Sequence, residues 1–158
     1  MATDRSPWRV DITAHAPVPV SVNDIKDVTV CFLKSLKVRR ADISIVFVKD
    51  ADMRRLNKAS LGHDYVTDII TFDLSDGKEG LLEGELVICP AQARRNARAC
   101  AETFEREVLR YIAHGLLHLK GYDDATDAER ARMRKKENSL LGLAFNVVAG
   151  HRAGHLMR

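Results

Sequence analysis

Apolar residues recur at Val22, Ile25, Val28, Phe32 and Leu36, the period of a helix with one buried face, and Ser21 stands where a side chain can cap its first turn. From Ala41 to Val48 the residues are β-branched and alternate with polar ones, which predicts a strand. Upstream, Arg9 to Thr13 alternates as a short strand and stops at the loop Ala16 to Val20, where two prolines exclude regular pairing. Downstream, Asp52 to Lys58 reads as a short helix ending near Gly62. Thr67 to Phe72 and Gly84 to Cys89 read as strands flanking the turn-rich Ser75 to Gly80, an arrangement suited to an antiparallel hairpin. Pro90 opens a helix rich in Ala and Arg. A longer helix runs from about Thr103 to Lys120 and stops at Gly121, the residue type favoured at a left-handed C′ position. Thr126 to Glu129 forms a capping box, and the helix it starts continues toward Phe145, leaving residues 147–158 as a tail. Strands interspersed with helices predict an α/β (α+β) fold, a mixed sheet covered by helices. No repeat or linker divides the chain, so 1–158 is expected to be a single domain, opening with a strand and loop over residues 1–20.

Composition narrows the function classes. At 46% hydrophobic and 30% charged, the 158 residues match a globular chain and exclude disorder. The longest run without a formal charge, Asn138 to His151, falls short of the ~20 residues that span a bilayer. The opening MATDRSPWRVDI has no apolar segment behind its charges, so no secretory signal is expected. Cys31, Cys89 and Cys100 form no C-x-x-C pair, which argues against a disulfide framework and a Cys-based zinc site and for a reducing, cytoplasmic compartment. A net charge of +3 permits a nucleic-acid partner without requiring one.

Candidate chemistry is concentrated in His114 to Asp124. Residues four apart on a helix emerge from one face, so His114 and His118 can ligate one Zn²⁺. Phe104, Val108, Ile112, Leu116 and Leu119 form an apolar stripe, and Leu117 lies opposite, which places both imidazoles in or beside the core. Gly121 lets the chain double back, so that a carboxylate at Asp123 or Asp124 can reach the same ion. Two histidines and one carboxylate leave a fourth position for water, the arrangement of a catalytic zinc site.

The run His114-Gly-Leu-Leu-His-Leu-Lys-Gly-Tyr122 resembles the signature H-G-x-L-H-L-x-G-Y-D-H of the YbeY family, metal-dependent endoribonucleases of ribosomal RNA maturation. Leu56-Asn57 followed by Thr67 to Phe72 resembles the family's L-N and T-D-V-L-S-F, and Gly84 to Ile88 its G-D-I strand. The resemblance spans roughly Leu56 to Asp124. It implies hydrolysis of single-stranded ribosomal RNA with one Zn²⁺ per chain, on His114, His118 and Asp124, the last standing where the family has its third histidine. It also implies ribosomal RNA or the ribosome as partner. The family arginine that follows L-N is Leu61 here, so no catalytic arginine is carried over.

RNA requires cations near the metal. Arg94, Arg95 and Arg98 on one helix are the first candidates, with Arg106, Arg110, Arg54, Arg55 and Lys58 as further ones. The cluster Arg130, Arg132, Arg134, Lys135 and Lys136, interspersed with Glu129 and Glu137, reads as exposed helix surface with intrahelical pairing. A zinc protease would carry Glu directly after its first histidine, where this chain has Gly115. A ribosome assembly factor that uses metal only for stability is the other alternative. His63 could approach the site in place of the missing arginine, Tyr122 packs near it, and His151 and His155 are expected on a frayed tail.

Overall fold

A computed structural model of the chain describes residues 6–76 and 79–156, with side chains of the last helix described as far as His151. Four strands, β1 (Trp8–Ala14), β2 (Ala41–Phe47), β3 (Ile69–Asp73) and β4 (Leu82–Ile88), form one mixed sheet in the order β1-β2-β4-β3. β2 runs parallel to both β1 and β4, and β3 is antiparallel to β4, as the hairpin pattern predicts. Residues 77 and 78 of the predicted turn lie outside the described residues. Five helices complete the fold: α1 (Val22–Ser35), α2 (Asp50–Leu61), α3 (Pro90–Ala99), α4 (Phe104–Leu119) and α5 (Asp127–Leu156).

Strand alternation sorts the sheet into two apolar faces. Ala41, Ile43, Ile45 and Phe47 join Leu86 and Ile88 on one face, under Ile25, Val28, Phe32 and Leu33 of α1 and the apolar residues of α4. Val87 and Cys89 point the other way, with Ile70, and meet Met53 of α2. α4 is the central helix: Val108, Leu109, Ile112, Ala113, Leu116, Leu117 and Leu119 are all buried. Burial of each large apolar side chain stabilises by roughly 1.5–3 kcal/mol, so packing rather than helix propensity fixes where α4 lies. At Gly115 α4 approaches the sheet so closely that a Cβ would stand 2.6 Å from Leu86 Cδ2 and 3.0 Å from Ile69 Cδ1.

Local capping sets the ends of the elements that carry the site. The Thr103 side chain accepts from the Arg106 N–H and starts α4. At the other end, the Gly121 N–H donates to the His118 carbonyl and the Tyr122 N–H to the Leu117 carbonyl, both at 3.0 Å. These are the two bonds of a Schellman motif, with Gly121 at φ +99° in its left-handed position. Nothing lies within 4 Å of a Cβ placed on Gly121, so the cost of a side chain there is backbone strain alone. Gly121→Ala is expected to destabilise the fold by about 1–2 kcal/mol, measurable by urea denaturation, with an unchanged midpoint contradicting the strained turn.

α5 starts as the capping box predicts, with the Glu129 N–H on Thr126 Oγ1, although the Glu129 carboxylate accepts from Ala125 rather than from Thr126 itself. It does not stop near Phe145. Helix continues to Leu156 where a tail was expected from residue 147, because Val147 and Val148 pack on the core and His151 bonds Asp24 of α1, 2.5 Å away. The His155 side chain lies outside the described residues.

Candidate metal centre

α4 carries Glu107, Tyr111, His114 and His118 at spacings of four, three and four, so the four side chains share one stripe along the helix. The Gly121 turn then returns Asp124 to the C-terminal half of that stripe. Asp124 Oδ2 lies 3.5 Å from His114 Nε2 and 3.4 Å from His118 Nε2, and the two Nε2 atoms are 3.0 Å apart. A metal bound tetrahedrally at 2.0–2.1 Å separates its ligand atoms by about 3.3 Å. The three atoms therefore already form the triangle such an ion requires, and the cluster could hold a metal. Asp123 is exposed and lies outside this triangle.

Glu137 of α5 organises the cluster from behind. Its Oε2 accepts from His114 Nδ1 at 2.7 Å, and its Oε1 accepts from Arg110 Nη1 at 2.9 Å. With Nδ1 carrying the proton, the neutral His114 ring presents its Nε2 lone pair to the cluster. Burial works against the charged form of His114, but the bond to Glu137, with the charges of Asp124 and Asp68, outweighs it and raises the pKa above the usual histidine value. Burial likewise pushes Glu137 up, yet His114 and Arg110 together hold its carboxyl below the usual range. Glu137 and Arg110 are thus a buried charge pair.

Two hollows meet at the cluster. One, of about 390 Å³, lies between α3, α4 and α5. The other, of about 620 Å³, runs along β3 past Ser60 and Leu61. Asp68, Ile69, His114 and Asp124 line both, so the pair forms a continuous groove with the cluster in its floor. Asp68 Oδ1 accepts from the Ile69 N–H at 2.7 Å, while Oδ2 takes no hydrogen bond among the described residues.

The family model described as Endoribonuclease YbeY matches residues 15–144. The chain belongs to that family. It is 43% identical over 103 residues to the Endoribonuclease YbeY of Chlorobium phaeovibrioides, covering 65% of this chain and 68% of the relative. It is 39% identical over 119 residues to that of Phocaeicola vulgatus, covering 75% and 82%. The solution structure of the Thermotoga maritima protein TM1509 has the same fold, with a TM-score of 0.65 over 90% of this chain and 93% of that one, at 24% identity.

The YbeY cluster leaves no space for the protease alternative, since Gly115 is pressed against Leu86 and Ile69 where that mechanism needs a glutamate. Leu61, at the position of the family arginine, is exposed and lines the larger hollow. His63 stands beside Tyr65 and lines neither hollow, so it does not replace that arginine. Arg94, Arg95 and Arg98 are exposed on α3, whose Asn96 and Ala99, with Cys100 just past its end, line the smaller hollow. Arg95 is held in a two-pronged bond to Asp50, and Arg94 lies over the Phe104 ring.

Two readings of charge need correction. Arg110 is not a surface cation but is buried against Glu137 and Asn138. Glu137 is not exposed helix surface, because α5 packs that face on α4. Arg130 and Arg134 are exposed on α5 as expected, with Arg130 paired to Asp127 one turn away, and both also line the smaller hollow. One signal was available: Met133, Glu137, Leu140 and Ala144 fall at helical spacing, so Glu137 interrupts an apolar stripe.

Proposed function

We propose that the chain is a metal-dependent endoribonuclease that hydrolyses single-stranded ribosomal RNA, with one Zn²⁺ held by His114, His118 and Asp124. The observation that carries this reading is the convergence of two imidazoles and one carboxylate in the floor of an open groove, in a member of the YbeY family. A two-nitrogen, one-oxygen set with room for a fourth ligand suits zinc in a catalytic role. When bound, such an ion supplies Lewis-acid polarisation of a phosphodiester oxygen and acidifies an attacking water.

The chain's own groups do the rest. Glu137 holds the His114 tautomer, and Asp68, whose Oδ2 is left open on the groove wall while Oδ1 is held by the Ile69 N–H, accepts the proton of the attacking water. Arg134 faces the phosphates, with Arg130 beside it held by Asp127, and Arg94 and Arg98 extend the positive surface beyond the groove along α3, while Arg95 is tied to Asp50. The extra charge of Asp124, relative to a third histidine, lowers the acidity the metal can confer. Among the described residues no helix is long and apolar enough to cross a membrane. A ribosomal substrate places the protein in the cytoplasm.

The deciding experiment is cleavage of single-stranded ribosomal RNA fragments. Activity lost with a chelator and restored by zinc supports the reading, and an inert protein with one zinc bound per chain overturns it. Asp68→Asn should lower the cleavage rate by about 10²–10⁴ at unchanged metal content, and an unaffected rate would remove Asp68 from the mechanism. In metal titrations Asp124→Ala should bind at least about a hundredfold more weakly, Asp124→His should retain the metal, and Asp123→Ala should match the parent. Weakening by Asp123→Ala alone would reverse the assignment.

A further inference from the structure

The smaller hollow contains polar groups that metal-assisted hydrolysis does not use. Glu107 is only 8% exposed, yet among the described residues its carboxylate makes no hydrogen bond or ion pair. Burial raises its pKa, with Arg110 and Arg134 opposing, as befits a carboxylate without a donor. One turn along α4, Tyr111 is 5% exposed, and its hydroxyl accepts from Asn96 Nδ2 at 2.5 Å. The Asn96 amide is oriented by Gln92, whose Nε2 donates to Asn96 Oδ1 at 3.0 Å, and Gln92 in turn accepts from Arg95. The chain from Arg95 through Gln92 and Asn96 to Tyr111 thus fixes the direction of donation, and the Tyr111 proton is left without an acceptor among the described residues. Both groups line the same hollow.

One wall of the hollow therefore presents a hydroxyl donor followed by two carboxylate acceptors. The complement is an acceptor followed by two donors. Guanine has that order on its Watson–Crick edge: O6, N1–H and N2–H. Adenine and cytosine place an amine against Tyr111 and a ring acceptor against Glu107, and uracil puts its O2 against the carboxylate. The hollow's volume of about 390 Å³ accommodates a nucleobase. Tyr111 precedes His114 by three residues, roughly 4.5 Å along the helix axis, so a base seated there adjoins a phosphate at the cluster.

We propose that Glu107 and Tyr111 form a nucleobase subsite that selects guanine next to the scissile phosphate, which rests on the endoribonuclease reading for its choice of an RNA ligand. Unstacked bases of single-stranded RNA are read on this edge by such groups.

The test uses the full chain in metal-free buffer, titrated calorimetrically with GMP, IMP, AMP, CMP and UMP, so that no cleavage is needed. GMP should bind about ten- to a hundredfold more tightly than AMP, CMP or UMP. IMP, which lacks the N2 amine, should fall about tenfold short of GMP. Glu107→Gln, which replaces one acceptor with a donor, should bring GMP to the level of AMP. Glu107→Asp keeps both acceptors and should retain a preference for GMP, which guards against general loss of structure. Tyr111→Phe should weaken GMP severalfold and leave AMP unchanged. Equal affinity for all five nucleotides, or a GMP preference undiminished in both Glu107→Gln and Tyr111→Phe, overturns the subsite. GMP selectivity in a protein that cleaves no RNA overturns the endoribonuclease reading and leaves the subsite standing. RNA cleavage with equal nucleotide affinities does the reverse.

Discussion

His114→Ala and His118→Ala should each abolish RNA cleavage and strip most of the metal from the purified protein. The expectation follows from the triangle of Nε2, Nε2 and Oδ2 atoms, whose sides of 3.0, 3.4 and 3.5 Å leave one ion in contact with all three. Removing one corner leaves two ligands in the part-exposed floor of the groove. Loss of an outer partner of a metal ligand costs about 10–100-fold in affinity, so loss of the ligand itself should cost at least about a hundredfold. The rate should fall by more. A metal in this position supplies several kcal/mol of transition-state charge stabilisation, and 1.36 kcal/mol is tenfold, so a drop of roughly 10³ or greater is expected. Elemental analysis of both variants, beside a cleavage assay at saturating zinc, reads the two effects separately. Metal content at the parent's level in both variants would show that the ion sits elsewhere. Both side chains are part-exposed in the groove, so neither substitution opens a cavity in the core; without metal the melting temperature of His118→Ala should change little, whereas His114→Ala leaves the buried Glu137 Oε2 without its donor and should melt lower.

The parts of this site that were legible in the sequence are those encoded within a few residues. The histidine pair, the Gly121 stop and the capping residues Ser21 and Thr126 act on neighbours in the chain, and the structure places each of those elements accordingly. Strand alternation likewise marked β2 and the β3–β4 hairpin. The order β1-β2-β4-β3 was not legible, since alternation shows that a strand has a buried face but not which strand lies beside it. The same limit hid the groove. Arg110 and Glu137 meet across 27 positions, and each resembles its charged neighbours until α5 is laid on α4. Spacing along one helix marked Arg94, Arg95 and Arg98 as a cluster of cations, and the hollow beside the His–Asp cluster is lined by Arg110, Arg130 and Arg134. The continuation of α5 past residue 147 is accompanied by a contact between His151 and Asp24 that no local pattern encodes. In each case the missing information is a partner distant in sequence.

Glu137 carries the second large expected effect because it serves two partners at once. Both it and Arg110 have side chains only 6% exposed, and each satisfies the other at 2.9 Å. Glu137→Ala strands the Arg110 guanidinium in the core with only the Asn138 side chain, at 3.0 Å, as acceptor. Breaking a buried pair from one side typically costs about 3–5 kcal/mol, far more than an exposed pair is worth. The same substitution releases His114 Nδ1, so the imidazole loses the bond that fixes its tautomer, and zinc affinity should fall by about 10–100-fold. Glu137→Gln separates the two roles. It retains the volume and one carbonyl oxygen, which can serve either Arg110 or His114 Nδ1 but not both with full charge. Its stability loss should therefore be smaller than that of Glu137→Ala, while its zinc affinity still falls. Urea denaturation without metal measures the first quantity, and competition with a chelator of known affinity measures the second. If Glu137→Ala unfolded at the same urea concentration as the parent and bound zinc equally well, the buried Arg110–Glu137–His114 chain would have no part in either stability or metal binding, and the geometry described for the centre would need a different explanation.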